Sequence, residues 1–161
     1  MKVCVSIAMF ATLLLVPSSG FAEEEPVPPY EMSNANAGAT PVEGTALFDA
    51  LNGQQGIDRI VDHLVESSVA DPRIADIFVN HDLDRLRRTL REQICYLSGG
   101  PCAYTGRTMA NAHVDMGVRT RDFNVLIEHL QEAMDSESVP YAMQNRLLAK
   151  LAPMHRLVVE R

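Results

Sequence analysis

Apolar residues recur at intervals of three and four along almost the whole chain beyond residue 45, and this pattern confines the chain to helices. Ala46-Leu47-Phe48 after Thr45 predict a short capped helix that Asn52-Gly53 ends. Ile57, Ile60, Val61, Leu64 and Val65 form the inner stripe of an amphipathic helix, with Asp58, Arg59, Asp62, His63 and Glu66 on the other side. Asp71-Pro72 opens a short turn through Ile74, Ile77 and Phe78. Asp82 caps a helix with Leu83, Leu86, Leu90, Ile94 and Leu97 inside, and Gly99-Gly100-Pro101 stops it. Met109 to Met116 reads as a brief apolar helix ended by Gly117. Thr120 opens the next helix, which buries Phe123, Leu126, Ile127, Leu130 and Met134. Ser138 and Pro140 open the last, striped by Leu147, Leu148, Leu151, Met154 and Val158. Almost nothing reads as strand. The expected class is all-α, and helices of such unequal length point to an arrangement around a pocket.

A chain of 161 residues has room for one core. Its formal charge of -7 leaves no basic face for phosphate neutralisation, which excludes a nucleic-acid partner. No Gly-rich phosphate loop, nucleophile elbow, HExxH or paired CxxC occurs, so hydrolase and structural-zinc readings have no motif beneath them.

Residues 1–22 carry the pattern of a secretory signal: Lys2, an uncharged run from Val3 to Val16, and Gly20-Phe21-Ala22 at the cleavage positions. The run is shorter than the roughly 20 residues a spanning helix needs, so no stable membrane span is expected after signal removal. Export to the periplasm or beyond is the expected location. Without Lys2 the chain keeps 13 basic against 21 acidic residues, a formal charge of -8. Residues 23–44, acidic at the start and rich in proline and small polar residues, are expected to be a flexible linker. The globular domain is then 45–161. In an oxidising compartment Cys95 and Cys102, flanking a turn, have the choice of a disulfide or two buried thiols.

Five histidines hold most of the candidate chemistry. His63 lies among charged residues, His81 in a loop, and His129 and His155 at helix edges. His113 differs, because it shares a short helical face with Met109, Ala112 and Met116. A buried imidazole there is stable only when both ring nitrogens are used. Spacing alone leaves two readings, a satisfied core histidine or an axial haem ligand in an apolar slot.

The stretch from Leu51 to Pro153 resembles the truncated haemoglobins of the first group, whose helices form a two-over-two sandwich around haem. The resemblance rests on Leu51-Asn52-Gly53-Gln54-Gln55-Gly56, on Val69-Ala70-Asp71-Pro72-Arg73-Ile74 with Phe78, and on Asp82-Leu83-Asp84-Arg85-Leu86. It continues through Gly99-Gly100-Pro101, Tyr104-Thr105-Gly106, Met109, His113, Gly117-Val118, Phe123, His129-Leu130 and Ala152-Pro153. It implies haem b as cofactor, with His113 as proximal iron ligand and Phe78 packed on the macrocycle. It places Val65, Leu86 and Leu90 on the distal side, with Gln93 one turn further along. Met109, Ala112, Val118, Phe123 and Leu126 complete the walls, Tyr104 lies near a propionate, and Arg87 or Arg88 supplies the propionate cation. The implied partners are diatomic gases (oxygen, nitric oxide, carbon monoxide) and a redox partner.

Two departures from the family bear on function. Val65 stands where many members have tyrosine, and Leu90 where they have a polar glutamine. Oxygen held on haem gains negative charge, and a donor beside it contributes about 1.5–3 kcal/mol. Losing that donor weakens oxygen roughly ten- to hundredfold. The expected pocket therefore discriminates poorly in favour of oxygen, with Gln93 as the near donor or His81 arriving from elsewhere. A nitric oxide dioxygenase needs a stable oxygen complex, which this lining disfavours. A gas-binding or electron-transfer globin, an enzyme consuming nitric oxide or peroxide, and a haem-free interaction domain are separated by turnover and by colour.

Overall fold

The computed structural model describes residues 24–160. Its helices are α1 (Ala46–Ala50), α2 (Gly53–Ala70), α3 (Leu83–Leu97), α4 (Met109–His113), α5 (Thr120–Ser136), α6 (Tyr141–Leu151) and α7 (His155–Val158). Single 3-10 turns occupy Asn34–Ala37, Ala75–Phe78 and Ala152–Met154. No strand occurs among the described residues. The expected signal segment, residues 1–22, lies outside them. No described helix is long and apolar enough to cross a membrane.

α2 is the central element and lies against both α3 and α5. Its stripe of Ile57, Ile60, Val61, Leu64 and Val65 is buried, as the spacing predicts. Leu47 from α1 and Leu51 just after it, Ile94 from α3, Leu130 and Met134 from α5 and Leu147 from α6 complete this core. The turn into α2 is tight: Asn52 is left-handed at φ 62°, and Gly56 passes so close to the Leu51 carbonyl that any β-carbon there would collide with it. Arg59 closes on Glu137 at 2.6 Å and Asn52 Nδ2 donates to the Glu137 carbonyl at 3.0 Å, joining the start of α2 to the end of α5.

Helix ends follow local chemistry. Asp82 caps α3 by accepting from the Arg85 N–H at 2.9 Å, as expected. Thr45 does not cap α1; its hydroxyl donates to the Asp49 carboxylate at 2.9 Å. At α5 the Asp122 carboxylate reaches back to the Arg119 N–H at 2.9 Å, so the helix is capped from inside its first turn. α4 stops at His113, short of the expected Met116, because Val114 is extended and Asp115 turns left-handed at φ 62°. The last helix breaks at Ala152–Met154, where Pro153 has no N–H to continue the ladder.

Residues 24–44, the described part of the expected linker 23–44, lie along the domain as a hydrogen-bonded strap. Glu24 pairs with Arg88, its Oε2 accepting at 2.8 Å, and the Glu25 N–H donates to Asp82 at 2.8 Å. The Tyr30 hydroxyl donates to the Thr105 carbonyl at 2.8 Å, and Asn34 Oδ1 accepts from the Tyr104 N–H at 2.8 Å. The Val42 N–H donates to Leu97 at 3.0 Å. Ala37 is fully buried in a second apolar cluster with Leu97, Tyr104, Met109, Val118, Met154 and Val158. The segment has no helical periodicity, yet the Glu25 and Val42 N–H groups find acceptors at the two ends of α3. Cys95 and Cys102 are joined in a disulfide with Cα atoms 5.8 Å apart, resolving the choice left open by the spacing.

Candidate functional site

A cavity of about 500 Å³ opens between α2, α3, α4 and α5. That is the size of a cofactor pocket, which runs from about 300 to 1,000 Å³. Twelve residues singled out from the sequence line it: His113, Phe78, Val65, Leu86, Leu90, Gln93, Tyr104, Met109, Ala112, Val118, Phe123 and Leu126. Chain segments far apart in sequence are thereby brought to one chamber.

His113 is the last residue of α4, half buried, and its Nδ1 sits 2.7 Å from the Met109 carbonyl oxygen. A carbonyl only accepts, so Nδ1 carries the proton and Nε2 keeps its lone pair. Nε2 makes no hydrogen bond among the described residues. Burial pushes the imidazole below its ordinary pKa, opposed by the Met109 bond and by Glu160, and the ring is held neutral. A neutral, oriented imidazole with one free nitrogen in an apolar chamber is the donor an iron porphyrin requires. Phe78, Leu86, Leu90, Phe123 and Leu126 supply the apolar surfaces for a flat macrocycle.

Two polar groups of the lining are engaged within the protein. Gln93 is buried, but its Nε2 donates to the Ala37 carbonyl at 2.9 Å, with Met109 Sδ at 3.2 Å. The strap therefore holds the amide that was expected to serve a distal ligand. Tyr104 is 4% exposed and its hydroxyl donates to the Arg107 carbonyl at 3.2 Å; burial, reinforced by Glu92, pushes its pKa up to about 12. It is a neutral structural phenol. His81 is exposed and lines the same cavity.

Neither Arg87 nor Arg88 reaches the chamber. Arg87 faces Asp62 at 3.5 Å and Asp84 at 3.9 Å, and Arg88 is held by Glu24, by Glu92 at 3.0 Å and by Thr105 at 2.6 Å. The cations that do line it are Arg85 and Arg107. Arg85 contacts the Glu25 carbonyl and approaches Asp82 at 3.4 Å, while the Arg107 guanidinium lies 5.3 Å from the Tyr30 ring centre.

Among the contributors that sequence reasoning missed are Val27 and Tyr30 of the strap, Arg85, Arg107, and Ser68 on α2. A signal for the strap was present. Glu23-Glu24-Glu25 complements the arginines of α3, and Tyr30 is the one aromatic in the segment. Ser68 gave none, since a serine in a helix reads as a solvated residue. His129, assigned to a helix edge, is 7% exposed and bridges Asp71 at 3.0 Å and Glu132 at 3.4 Å, tying α5 to the end of α2.

An all-helical domain around a largely apolar chamber, with the His113 Nε2 free of internal hydrogen bonds among the described residues, has the architecture of a small globin. A family model described as bacterial-like globin matches residues 46–160, and the chain belongs to that family. Among its relatives is the group 1 truncated hemoglobin of Mycolicibacterium paratuberculosis, 25% identical over 112 residues, covering 70% of this chain and 82% of that protein. Another is the group 1 truncated hemoglobin of a Nostoc species, 31% identical over 90 residues, covering 56% of this chain and 76% of that one. The crystal structure of the Fe(III) truncated hemoglobin from Tetrahymena pyriformis superposes with a TM-score of 0.68 at 23% identity, covering 71% of this chain and 98% of that one. The truncated two-over-two fold is thereby established, and membership of the family implies haem and gas binding.

Proposed function

We propose that this chain is an exported haem b globin that holds a diatomic gas, oxygen, nitric oxide or carbon monoxide, in an apolar chamber. The observation that carries the reading is the state of His113, with Nδ1–H fixed on the Met109 carbonyl and Nε2 free toward the cavity. Haem would supply a ferrous iron able to bind a small π-accepting ligand. The chain's own part is to orient the axial imidazole, to exclude water with Val65, Leu86, Leu90 and Leu126, and to close the chamber with Tyr30 and Val27. Phe78 and Phe123 would supply aromatic surfaces for the haem, and Arg85 and Arg107 would be the cations available to its carboxylates.

Val65 and Leu90 stand in place of polar residues and the Gln93 amide is engaged elsewhere, so these three positions offer a bound ligand no hydrogen bond. Export draws support from the signal-like residues 1–22 and from the Cys95–Cys102 disulfide, which suits an oxidising compartment. The test is an absorption spectrum of the purified protein with haem added, before and after carbon monoxide, beside the same measurement on His113→Ala. The reading expects a Soret band that sharpens and shifts with carbon monoxide in the wild type, and loss of the five-coordinate ferrous spectrum in the variant. A wild-type protein that never acquires a Soret band refutes it.

A further inference from the structure

Ser68 lies in the last turn of α2, one turn beyond Leu64 and Val65, and like them it lines the chamber. It is completely buried, and its Oγ has no hydrogen-bond partner among the described residues. A serine inside a helix ordinarily points to solvent or returns its hydroxyl to the carbonyl one turn back. Ser68 does neither. Leaving a buried hydroxyl unpaired is destabilising, and alanine or valine there would remove the penalty without loss of packing. The other hydroxyls of the chamber are committed: Thr89 Oγ1 donates to the Arg85 carbonyl at 3.0 Å, and the Tyr104 hydroxyl is bound to Arg107. The amide of Gln93 is turned to Ala37.

We infer that the Ser68 hydroxyl is the hydrogen-bond donor of the ligand chamber, completed only when a polar diatomic ligand is present, and that it sets the preference for oxygen over carbon monoxide. The inference rests on the haem reading above. Its chemistry follows from the site: the hydroxyl is an unpaired donor on the α2 wall, and Ser68 borders the chamber beside Leu64, Val65 and Ile94. A ligand that acquires negative charge accepts from it, whereas carbon monoxide gains little. The residue is specificity-determining.

The experiment compares wild type, Ser68→Ala and Ser68→Thr, each loaded with haem. Oxygen dissociation should quicken about tenfold in Ser68→Ala, the factor that one such bond contributes. Carbon monoxide dissociation should change less than twofold, and Ser68→Thr should restore the wild-type oxygen rate. In the haem-free protein, Ser68→Ala should unfold at the same or a higher urea concentration, because no internal partner is lost. An oxygen rate in Ser68→Ala within twofold of wild type, with an intact Soret band, overturns the inference and leaves the haem reading standing. Destabilisation of the haem-free Ser68→Ala protein also overturns it, by showing that the fold already uses the hydroxyl. Absence of a Soret band from the wild type overturns both readings together.

Discussion

Gln93 and Ala37 are joined by a hydrogen bond of 2.9 Å from the side-chain amide of α3 to a carbonyl of the strap. Ala37 is fully buried and Gln93 is 6% exposed, so the bond is made out of water. Substituting Gln93→Met keeps the length and removes the donor. The carbonyl is then stranded, and stability should fall by about 1–3 kcal/mol. Ligand kinetics should stay within twofold of wild type, because the amide is not directed at the ligand. Urea unfolding and flash photolysis of the carbon monoxide form measure the two quantities. A large kinetic effect with unchanged stability would place the amide in the chamber instead.

The contrast between Gln93 and His113 shows what the chain makes legible. His113, Phe78 and the apolar walls lie on faces that helical periodicity exposes, so their convergence on one chamber can be read from spacing and resemblance together. The direction of a Gln93 side chain depends on its partner, and that partner sits 56 residues away in a segment with no periodicity. Arg85 and Arg88 show the same limit. Both belong to one arginine-rich face of α3 and both approach Glu24, yet Arg88 is also held by Glu92 and Thr105 while Arg85 lines the chamber, a division that the sequence does not reveal. The early end of α4 was hidden for a local reason, a left-handed Asp115 that apolar spacing does not reveal.

Acid should destabilise the protein through His113. Its folded pKa is lowered below the ordinary value near 6.5, so the unfolded chain binds the proton more readily between those two values. Stability therefore rises with pH across that interval and is lost as pH falls below about 6.5. The same protonation removes the lone pair that a metal would use. Urea midpoints of the haem-free protein between pH 7.5 and 5 should fall more steeply for wild type than for His113→Gln. Parallel slopes would show that other groups carry the acid response.

The strap depends on a residue with no side chain. Gly38 is left-handed at φ 86°, and a β-carbon there would lie 2.9 Å from Met109 Cγ and Met154 Cε. Gly38→Ala combines an unfavourable backbone, costing about 1–2 kcal/mol, with displacement of two methionines from the cluster beneath α4. Stability should drop by at least the backbone contribution. Proteolysis in residues 24–38 should accelerate, and haem should transfer to an acceptor globin several times faster, because Tyr30 and Val27 no longer close the chamber. An unchanged cleavage pattern would show that the strap is held without Gly38.

The disulfide acts on the segment that carries His113. It closes a short loop from the end of α3, and from Cys102 the chain runs through Tyr104 and Arg107 directly into α4. In the chain-entropy model, opening a loop of this size removes about 2–3 kcal/mol by releasing the unfolded ensemble. The turn itself has independent support, since the Gly100 N–H donates to the Cys95 carbonyl at 2.8 Å and the Ser98 hydroxyl donates to the same carbonyl at 3.0 Å. The Cys95→Ala, Cys102→Ala double variant should therefore retain its helical circular dichroism and its haem spectrum while unfolding at a lower urea concentration. Because Cys95 is fully buried, reduction of the wild type should be slow in native buffer and fast once local structure is loosened by urea. Equal unfolding midpoints for the two proteins would mean that the hydrogen-bonded turn alone confines the loop, and that the bridge adds nothing to the stability of the site.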